Sequence, residues 1–437
     1  MLLSTFPSIL LVGPVLSAFV PEQTFLGHTN SASSNYTSPI HDSSLDRVIA
    51  NSPLLSLHRA LVEVNSISNH EHAVGRFLQS TLEAHNFTVI KQKMPQPDGG
   101  NENESRYNIF AYPRASAYDG DDDQKLPSPK IIFSSHIDTV PPYIPYTLSR
   151  AGSKKADKDI LISGRGTVDA KACVASMIQT TLELLLSQSV SPLDMALLFV
   201  VGEETRGDGM KDFSESRLYT DIKHDLRAVI FGEPTEGKLA SGHKGISMAH
   251  IIARGKAAHS GYPWLGRSAN SMILPALFTL DKLGDLTEEE GGLPRSKEFG
   301  NSTVNVGYIM GGVAANVVPE HAEARVAFRL AGGTPASVKK IILNAINGAD
   351  PKGKLEVDIF QGYGPVPLDT DIPGFGSMVV NYGTDVPNLA VSKGVKRYLY
   401  GPGSILVAHG KDEALTVGDL EQAVVDYKSM VKHILHM

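Results

Sequence analysis

The sequence has 437 residues, of which 42% are hydrophobic and 20% charged, and its formal net charge is −7. This is the composition of a globular protein and excludes a collagen-like, coiled-coil or wholly disordered chain. The acidic balance argues against a nucleic-acid-binding surface. Cys173 is the single cysteine, so an intrachain disulfide and a cysteine-rich metal site are both excluded. The length predicts two or three domains.

An apolar run over residues 9–16 lies near the N-terminus and is followed by Ser17 and Ala18. It predicts a signal peptide over residues 1–18 with cleavage near those small residues. No Lys or Arg precedes the run, and a buried N-terminal helix is the alternative. The run is too short to cross a bilayer, and we expect no membrane contact. Sequons add to the expectation of a secreted glycoprotein, and they lie at Asn35, Asn86, Asn103 and Asn301.

The next elements alternate between helices and strands. A polar leader over residues 19–50 precedes a helical pattern from Pro53 to His85, within which Asn69 could cap a second helix. A further helix is predicted over residues 170–186. Strand patterns follow one another at residues 87–91, 107–112, 130–134, 195–201 and 227–231. This alternation predicts an α/β domain whose mostly parallel sheet is flanked by helices. Ligands of such sheets bind beyond the carboxyl ends of the strands.

The pattern changes near residue 241. Two predicted helices alternate with predicted strands, which together favour a small α+β domain inserted into the first domain. The strands lie at residues 246–253, 303–309 and 322–330, and the helices at 268–283 and 335–345. We place the insertion at residues 241–352, between the two parts of the first domain, 51–240 and 353–437. The chain is predicted to end in a helix over residues 417–435.

Metal-binding residue types follow several of the predicted strands. His136 and Asp138 are two residues apart, so on an extended backbone they point the same way, and one can bind a metal while the other orients it. Asp169 lies just before a helix, where an ordinary N-cap is the alternative. Glu203 and Glu204 follow a buried apolar strand. Adjacent side chains on a strand point apart, but a turn at Gly202 would bring both to one site.

Two further segments complete this set, one with Glu233 and one with His409. Each residue taken alone is more often structural than a ligand. Together they offer histidine and carboxylate groups, which are donors that suit zinc. A two-metal hydrolytic site needs a bridging carboxylate, ligands for each ion and a free carboxylate as base.

Five stretches resemble, in order, the five motifs of the M20 metallopeptidase family. They read SSHIDTVPP, GRGTVDAKA, VVGEETRGDGM, FGEPT and GPGSILVAHGKDE. That family includes glutamate carboxypeptidases, aminoacylases, succinyl-diaminopimelate desuccinylases and vacuolar Gly-X carboxypeptidases. The stretches GKAAHSGYP and NVVPEHAEARVAFR resemble its inserted lid and dimerisation domain. The resemblance runs from Leu54 to the C-terminus and implies a zinc-peptidase fold.

The resemblance implies two zinc ions per subunit, for which cobalt or manganese could substitute. His136 and Glu233 would hold one ion, and Glu204 and His409 the other, with Asp169 bridging the two. Two carboxylates would act on these groups without binding metal: Asp138 would fix the His136 ring, and Glu203 would be the general base and acid.

The inserted domain would supply substrate contacts by the same resemblance. His259 would reach the active site of a partner subunit in a homodimer and stabilise the oxyanion. Asn316 and Arg329, with the loop residues Gly403 and Ser404, would hold the substrate carboxylate. The triplet that ends in Arg329 lacks the acidic residue that often precedes this arginine in the family. The alternative is that Arg329 is an ordinary surface residue of a strand.

The function that we predict is a secreted di-zinc carboxypeptidase that hydrolyses an amide bond next to a free carboxylate by means of a metal-activated water. An aminoacylase acting on N-acyl amino acids is the alternative enzyme. A non-catalytic binding module is a third reading, but no ligand or base is missing. Of the remaining residues, Cys173 is predicted to be core, and Trp264 to rim a pocket or simply to pack. Three more could support the site from behind: Glu413, His243 and Lys244.

Overall fold

The computed structural model describes residues 43–96, 104–114, 126–150 and 156–436. The predicted signal peptide and the sequons at Asn35 and Asn103 lie outside these ranges. The described helices are α1 Ser43–Ala50, α2 Pro53–Glu63, α3 His72–Ala84, α4 Lys171–Leu186, α5 Asp208–Glu215, α6 Arg217–Ile222, α7 Ala269–Lys282, α8 Pro335–Ala349 and α9 Val417–Leu435. None of these helices has the length and hydropathy that a bilayer crossing requires.

The described strands form several sheets. In chain order they are β1 Phe87–Lys93, β2 Tyr107–Pro113, β3 Ile131–His136, β4 Thr147–Arg150, β5 Ile160–Ser163, β6 Met195–Val200, β7 Ala228–Gly232, β8 Leu239–His243, β9 Gly245–Arg254, β10 Ala258–His259, β11 Thr303–Gly311, β12 Val317–Val318, β13 His321–Leu330, β14 Leu355–Tyr363, β15 Val366–Pro367, β16 Ser377–Val380, β17 Lys396–Tyr400 and β18 Ala414–Thr416.

The larger domain is built on a six-stranded sheet with the order β1-β2-β6-β3-β7-β17. Strands β6, β3, β7 and β17 run parallel, and β1 and β2 join antiparallel at one edge. Both faces are covered: Phe133 of β3 belongs to the core shared with α2, α4 and α9, and Ile132 to the core shared with α5 and α6. The predicted α/β fold with a mostly parallel sheet is confirmed.

The register of the parallel strands brings their carboxyl ends to one edge of the sheet. His136, the last residue of β3, is paired with Val200, the last residue of β6. Ser134 is paired with Phe231 of β7, so Glu233 follows β7 at the same level. Side chains that come after these three strands therefore meet in one place.

A second sheet, of four antiparallel strands in the order β11-β13-β9-β14, forms the inserted unit. Helices α7 and α8 cover one face of it and share its apolar core. We expected the chain to have returned to the first domain by residue 353, but β14 still pairs with β9 through Tyr363. The reason is the alternation of Leu355, Val357 and Ile359, whose side chains pack into the core under the two helices.

Two local expectations near the N-terminus are wrong. The end of the predicted polar leader is helix α1, whose Leu45 and Ile49 are buried. Asn69 does not cap α3, because the helix starts at His72 with Glu71 as its N-cap, and Asn69 has a left-handed backbone with φ of 76°. A single polar residue upstream of an apolar pattern does not locate the first helical turn to within two residues.

Candidate metal centre

His136 is held at the end of β3 with its ring in a fixed orientation. Its Nδ1 lies 3.0 Å from the backbone oxygen of Asp138 and 3.5 Å from the Oδ1 of that residue. Its Nε2 lies 2.9 Å from Asp169 Oδ1 and 3.9 Å from Glu233 Oε1. Burial opposes protonation, but the hydrogen bonds with Asp138 and Asp169 prevail and raise the pKa of His136 well above its usual value. The Nε2 atom therefore faces two carboxylates.

Asp169 lies between the two histidines of the cluster. Its Oδ1 faces His136, and its Oδ2 lies 3.3 Å from His409 Nε2. Burial would raise its pKa, but the hydrogen bonds from these two histidines outweigh burial and lower the pKa of Asp169. The N-cap alternative is wrong, because α4 begins at Lys171 after Ala170 and has no side-chain cap. One carboxylate oxygen for each histidine is the arrangement that a bridging ligand needs.

Glu413 holds the backbone of the Asp169 segment from behind. Its Oε1 accepts hydrogen bonds from the N–H groups of Val168 and Asp169, at 3.0 and 3.2 Å. Its Oε2 accepts from Arg165 Nη1 at 2.6 Å, and both side chains of this pair are buried. Glu413 thus supports the site through the backbone of the Asp169 segment, one of the roles that the sequence suggested for it.

The Gly202 turn brings Glu203 and Glu204 to the same site. Gly202 has a φ of 74°, a conformation that favours glycine, and its carbonyl accepts from Arg206 N–H at 3.1 Å. The N–H groups of Glu203 and Glu204 donate to Asp138 Oδ1 and Oδ2, at 3.1 and 3.2 Å. Asp138 therefore holds this turn by two hydrogen bonds and also lies beside the His136 ring.

Ser68 gives Asp138 one more hydrogen bond, from its hydroxyl to Oδ2 at 2.7 Å. Burial would raise the pKa of Asp138, but the hydrogen bonds and the charge of His136 prevail and lower it. The carboxylate is thus kept ionised while it is completely buried.

Glu204 faces His409 on the outer side of the cluster. The distance between Glu204 Oε2 and His409 Nε2 is 2.9 Å. Hydrogen bonds to Asp169 and Glu204 raise the pKa of His409 to about 10. Within the described chain Glu204 Oε1 is buried without a hydrogen-bond partner. A buried carboxylate oxygen left unpaired in this way is costly unless a ligand takes it.

Glu203 and Glu233 are kept close to the same centre. Burial first, and then the neighbouring carboxylates, raise the pKa of each well above its usual range. Potential ligand atoms of His136, Glu203 and Glu233 lie within 4.8 Å of one another, as do those of His136, Asp169 and Glu204. Nitrogen and carboxylate donors at such spacing fit two adjacent divalent ions. The donor set and the unpaired Glu204 oxygen thus agree with a metal centre.

The residues predicted on the inserted domain make other contacts in the described structure. His259 and Asn316 are neighbours: Ser260 N–H donates to the Asn316 carbonyl at 2.9 Å, and the exposed His259 ring accepts from Gly261 N–H at 3.0 Å. Trp264 is 73% exposed and stacks edge-on against Tyr262, at 5.5 Å between ring centroids. No hydrogen bond or ion pair in the described residues joins His259 to the cluster of its own chain.

Arg329 and the Gly403 loop take other positions. Arg329 lies in β13, paired with Thr303 and Ile246, and its Nη1 is 3.5 Å from where a Cβ on Gly383 would be. The Ser404 hydroxyl donates to Glu236 Oε1 at 2.9 Å, and Gly403 has a φ of 75°. Arg329 thus points from the inserted sheet toward the catalytic-domain loop around Gly383.

The remaining residues of interest mostly lie in the core. Cys173 is a buried free thiol, as expected. His243 is buried, with Nε2 3.1 Å from the Thr384 hydroxyl, and the Lys244 ammonium donates to the Asn301 carbonyl at 2.6 Å. Asp385, which sequence reasoning missed, lines a small cavity with His136 and Glu233. Burial raises the pKa of Asp385 to about 6. Its loop has no periodic pattern that could have identified it.

Comparison with known proteins agrees with this architecture. Residues 241–354 match a family model described as a peptidase dimerisation domain. The chain is 49% identical to a probable carboxypeptidase of Aspergillus fumigatus over 437 residues, which is 98% of this chain and 98% of the relative.

Solved structures share the fold at lower identity. An M20 family metallo-carboxypeptidase from Sulfolobus solfataricus has a TM-score of 0.64 at 17% identity and covers 88% of this chain and 100% of its own. A dinuclear metal binding peptidase of the M20 family from Bacillus subtilis has a TM-score of 0.55 at 14% identity, covering 91% and 99%. At these identities the likeness concerns the fold alone.

Proposed function

Because the chain belongs to the M20 metallopeptidase family, we propose that it is a di-zinc carboxypeptidase that cleaves the amide bond next to a free carboxylate. One observation carries the proposal: the Asp169 carboxylate lies between His136 and His409, and Glu203 lies close to His136 and Glu233. The name of the Aspergillus relative supports a carboxypeptidase over an acylase.

The ligand set that we propose divides between two ions. His136 and Glu233 would hold one, Glu204 and His409 the other, and Asp169 both. Such a pair of ions, when bound, polarises a carbonyl and acidifies water. The nitrogen and carboxylate donors suit zinc, and cobalt or manganese could replace it, since affinity and availability together decide the metal.

Glu203 is the proposed general base. Its pKa is raised by burial and by the neighbouring Glu233, which makes the ionised carboxylate a stronger base toward the proton of the attacking water. The same group then delivers the proton to the leaving amine. The hydrogen bonds from the Glu203 and Glu204 N–H groups to Asp138 hold the base in place during both transfers.

Substrate recognition falls to the inserted domain and the Gly403 loop in this proposal. Arg329 can grip a carboxylate with two parallel hydrogen bonds, and Asn316, Gly403 and Ser404 are proposed to add polar contacts. His259 would stabilise the oxyanion in the active site of a partner subunit.

A homodimer through the inserted domain is the proposed assembly. Strand β11 is at the edge of the described four-stranded sheet, and its Ile309 and Met310 side chains are exposed. On the adjacent helix α7, Leu274 and Phe278 are exposed as well. An apolar strand edge of this kind favours pairing with another chain.

Kinetics of a Glu203→Gln variant test the enzyme proposal. With zinc saturating, we expect kcat to fall by about 10²–10⁴-fold while zinc content is retained. Glu421→Gln, at an exposed position of α9, serves as a control of equal charge change. A Glu203→Gln enzyme with wild-type kcat would contradict the mechanism.

A substrate panel separates the two enzyme readings. Peptides with a free C-terminus and N-acetyl amino acids are compared at equal concentration on the full-length chain. We expect the higher kcat/KM on peptides, whereas a preference for N-acetyl amino acids would replace the carboxypeptidase by an aminoacylase. No turnover of either, with no zinc bound, would favour a binding module.

Secretion is also a proposal. It rests on the N-terminal sequence and on two sequons, Asn86 and Asn301, whose side chains are exposed. Expression of the full chain in a eukaryotic secretory host should give a protein in the medium that begins near Phe19 and loses mass with an endoglycosidase. Retention of an unprocessed, unglycosylated chain inside the cells would contradict it.

A further inference from the structure

A buried arginine outside the predicted site, Arg106, lies behind the Gly202 turn. Its side chain is 1% exposed. Nε and Nη2 donate to the two carboxylate oxygens of Glu71, each at 3.1 Å, and Nη1 donates to Asp208 Oδ2 at 2.8 Å. The guanidinium is thus shared between two carboxylates in the forked geometry that only arginine offers.

The Arg106–Asp208 pair fills the space directly beside Gly202. A Cβ placed on Gly202 would lie 2.0 Å from Asp208 Oδ1 and 2.6 Å from Arg106 Nη2. The Gly202 carbonyl accepts the N–H group of Gly207 at 2.8 Å, and Asp208 is the next residue, the first of α5. The ion pair therefore contacts both ends of the turn that carries Glu203 and Glu204.

Glu71 carries the same network to the other side of Asp138. It is the N-cap of α3, three residues after Ser68, whose hydroxyl donates to Asp138. The Ser68 N–H group also donates to the Thr139 carbonyl at 3.0 Å. Arg106 thus links two segments that both contact Asp138: the Ser68–Glu71 segment, and the turn whose N–H groups donate hydrogen bonds to Asp138.

We propose that Arg106 is a positioning residue for the Glu203–Glu204 turn. Through its ion pair with Asp208 it holds the turn where the two N–H groups reach Asp138 and the two glutamate side chains reach the metal centre. The proposal rests on the function proposed above. Because the Arg106 side chain is only 1% exposed, it cannot contact substrate, and its effect passes through the positions of Glu203 and Glu204.

The test uses the full-length chain and three variants: Arg106→Lys, Asp208→Asn and Ile222→Ala. Arg106→Lys keeps the charge but loses the fork, and Asp208→Asn leaves the Arg106–Glu71 pair intact. Ile222→Ala removes buried side-chain volume at the end of α6, away from the turn, and serves as a control that lowers stability alone. Zinc affinity is measured by chelator competition, and kcat, KM and Tm alongside.

Both Arg106→Lys and Asp208→Asn are expected to weaken zinc binding by about 10–100-fold at the position that Glu204 helps to form. Both should also lower kcat more than they raise KM. Ile222→Ala should lower Tm and leave zinc affinity and kcat unchanged. Wild-type zinc affinity in both polar variants, or equal losses in Ile222→Ala, would overturn the proposal. Because zinc affinity needs no substrate, this result stands apart from any failure to find peptidase activity.

Discussion

The two halves of the proposed metal centre are held in different ways. His136 and Glu233 directly follow the buried parallel strands β3 and β7, and their side chains are 1% and 8% exposed. Glu204 and His409 stand on a turn and a loop instead. The His409 side chain is 53% exposed, and its backbone is left-handed with a φ of 62°.

This difference shows what fixes each half. The sheet register sets the first half, because neighbouring parallel strands cannot shift without breaking their hydrogen bonds. The second half depends on local hydrogen bonds instead. Asp138 accepts those of the Glu203–Glu204 turn, and Arg165 Nη2 donates to the His409 carbonyl at 3.2 Å. We therefore expect the His136–Glu233 position to bind metal more tightly than the Glu204–His409 position, with Asp169 common to both.

Removal of the common ligand should have the largest effect. Asp169→Asn takes away the charge that faces both histidines, so both ions should bind weakly and kcat/KM should fall by about 10³-fold or more, since bound metal supplies several kcal/mol of transition-state stabilisation. Elemental analysis and steady-state kinetics measure these losses. Asp194→Asn, at a partly exposed ion pair with Lys130, is the matched control. Two tightly retained ions in Asp169→Asn would refute the bridging role.

Much of this centre could be predicted from the sequence because strand patterns are local. The apolar runs before His136 and Glu204 located two strand ends, and Gly202 indicated the turn. What escaped prediction was set by distant contacts: Arg106 meets Asp208 across 102 residues. Strand β14 joins the inserted sheet through its pairing with β9, more than one hundred residues earlier in the chain. No pattern along the chain identifies such partners.

Replacing each histidine in turn should separate the two halves. His409→Ala is expected to keep about one zinc per chain, whereas His136→Ala should weaken the tighter position and retain less. The physical reason is the exposed, loop-borne position of His409 against the buried strand end of His136. Zinc content after dialysis against a graded chelator series measures the difference. Equal zinc loss in the two variants would show that the halves are equivalent.

Replacing the two supporting carboxylates, Asp138 and Glu413, should reduce zinc affinity and kcat less than replacing the ligands that they support. Asp138→Asn removes an acceptor for the Glu203 and Glu204 N–H groups, and Glu413→Gln weakens the support of the Asp169 backbone. Each should reduce zinc affinity or kcat by about 10–100-fold. Since Asp138 also contacts the His136 ring, we expect the larger loss from Asp138→Asn, measured by chelator competition and kinetics. The reverse order would place the main support on the Arg165–Glu413 side.

The smallest effect is a pH dependence that belongs to His409, the exposed ligand of the second half. In the metal-free protein the hydrogen bonds to Asp169 and Glu204 raise the pKa of His409 to about 10, against an ordinary value near ~6.5. The stabilisation from this contact is therefore complete below the ordinary value and lost as pH rises toward the upper one. Zinc needs the neutral imidazole, so binding should release a proton at neutral pH, and zinc affinity should rise with pH across this window. Calorimetry in buffers of different ionisation enthalpy counts the protons, and His409→Ala should release fewer, leaving the share of the buried ligands His136 and Glu233. Proton release that is unchanged in His409→Ala would assign the dependence to the buried half instead.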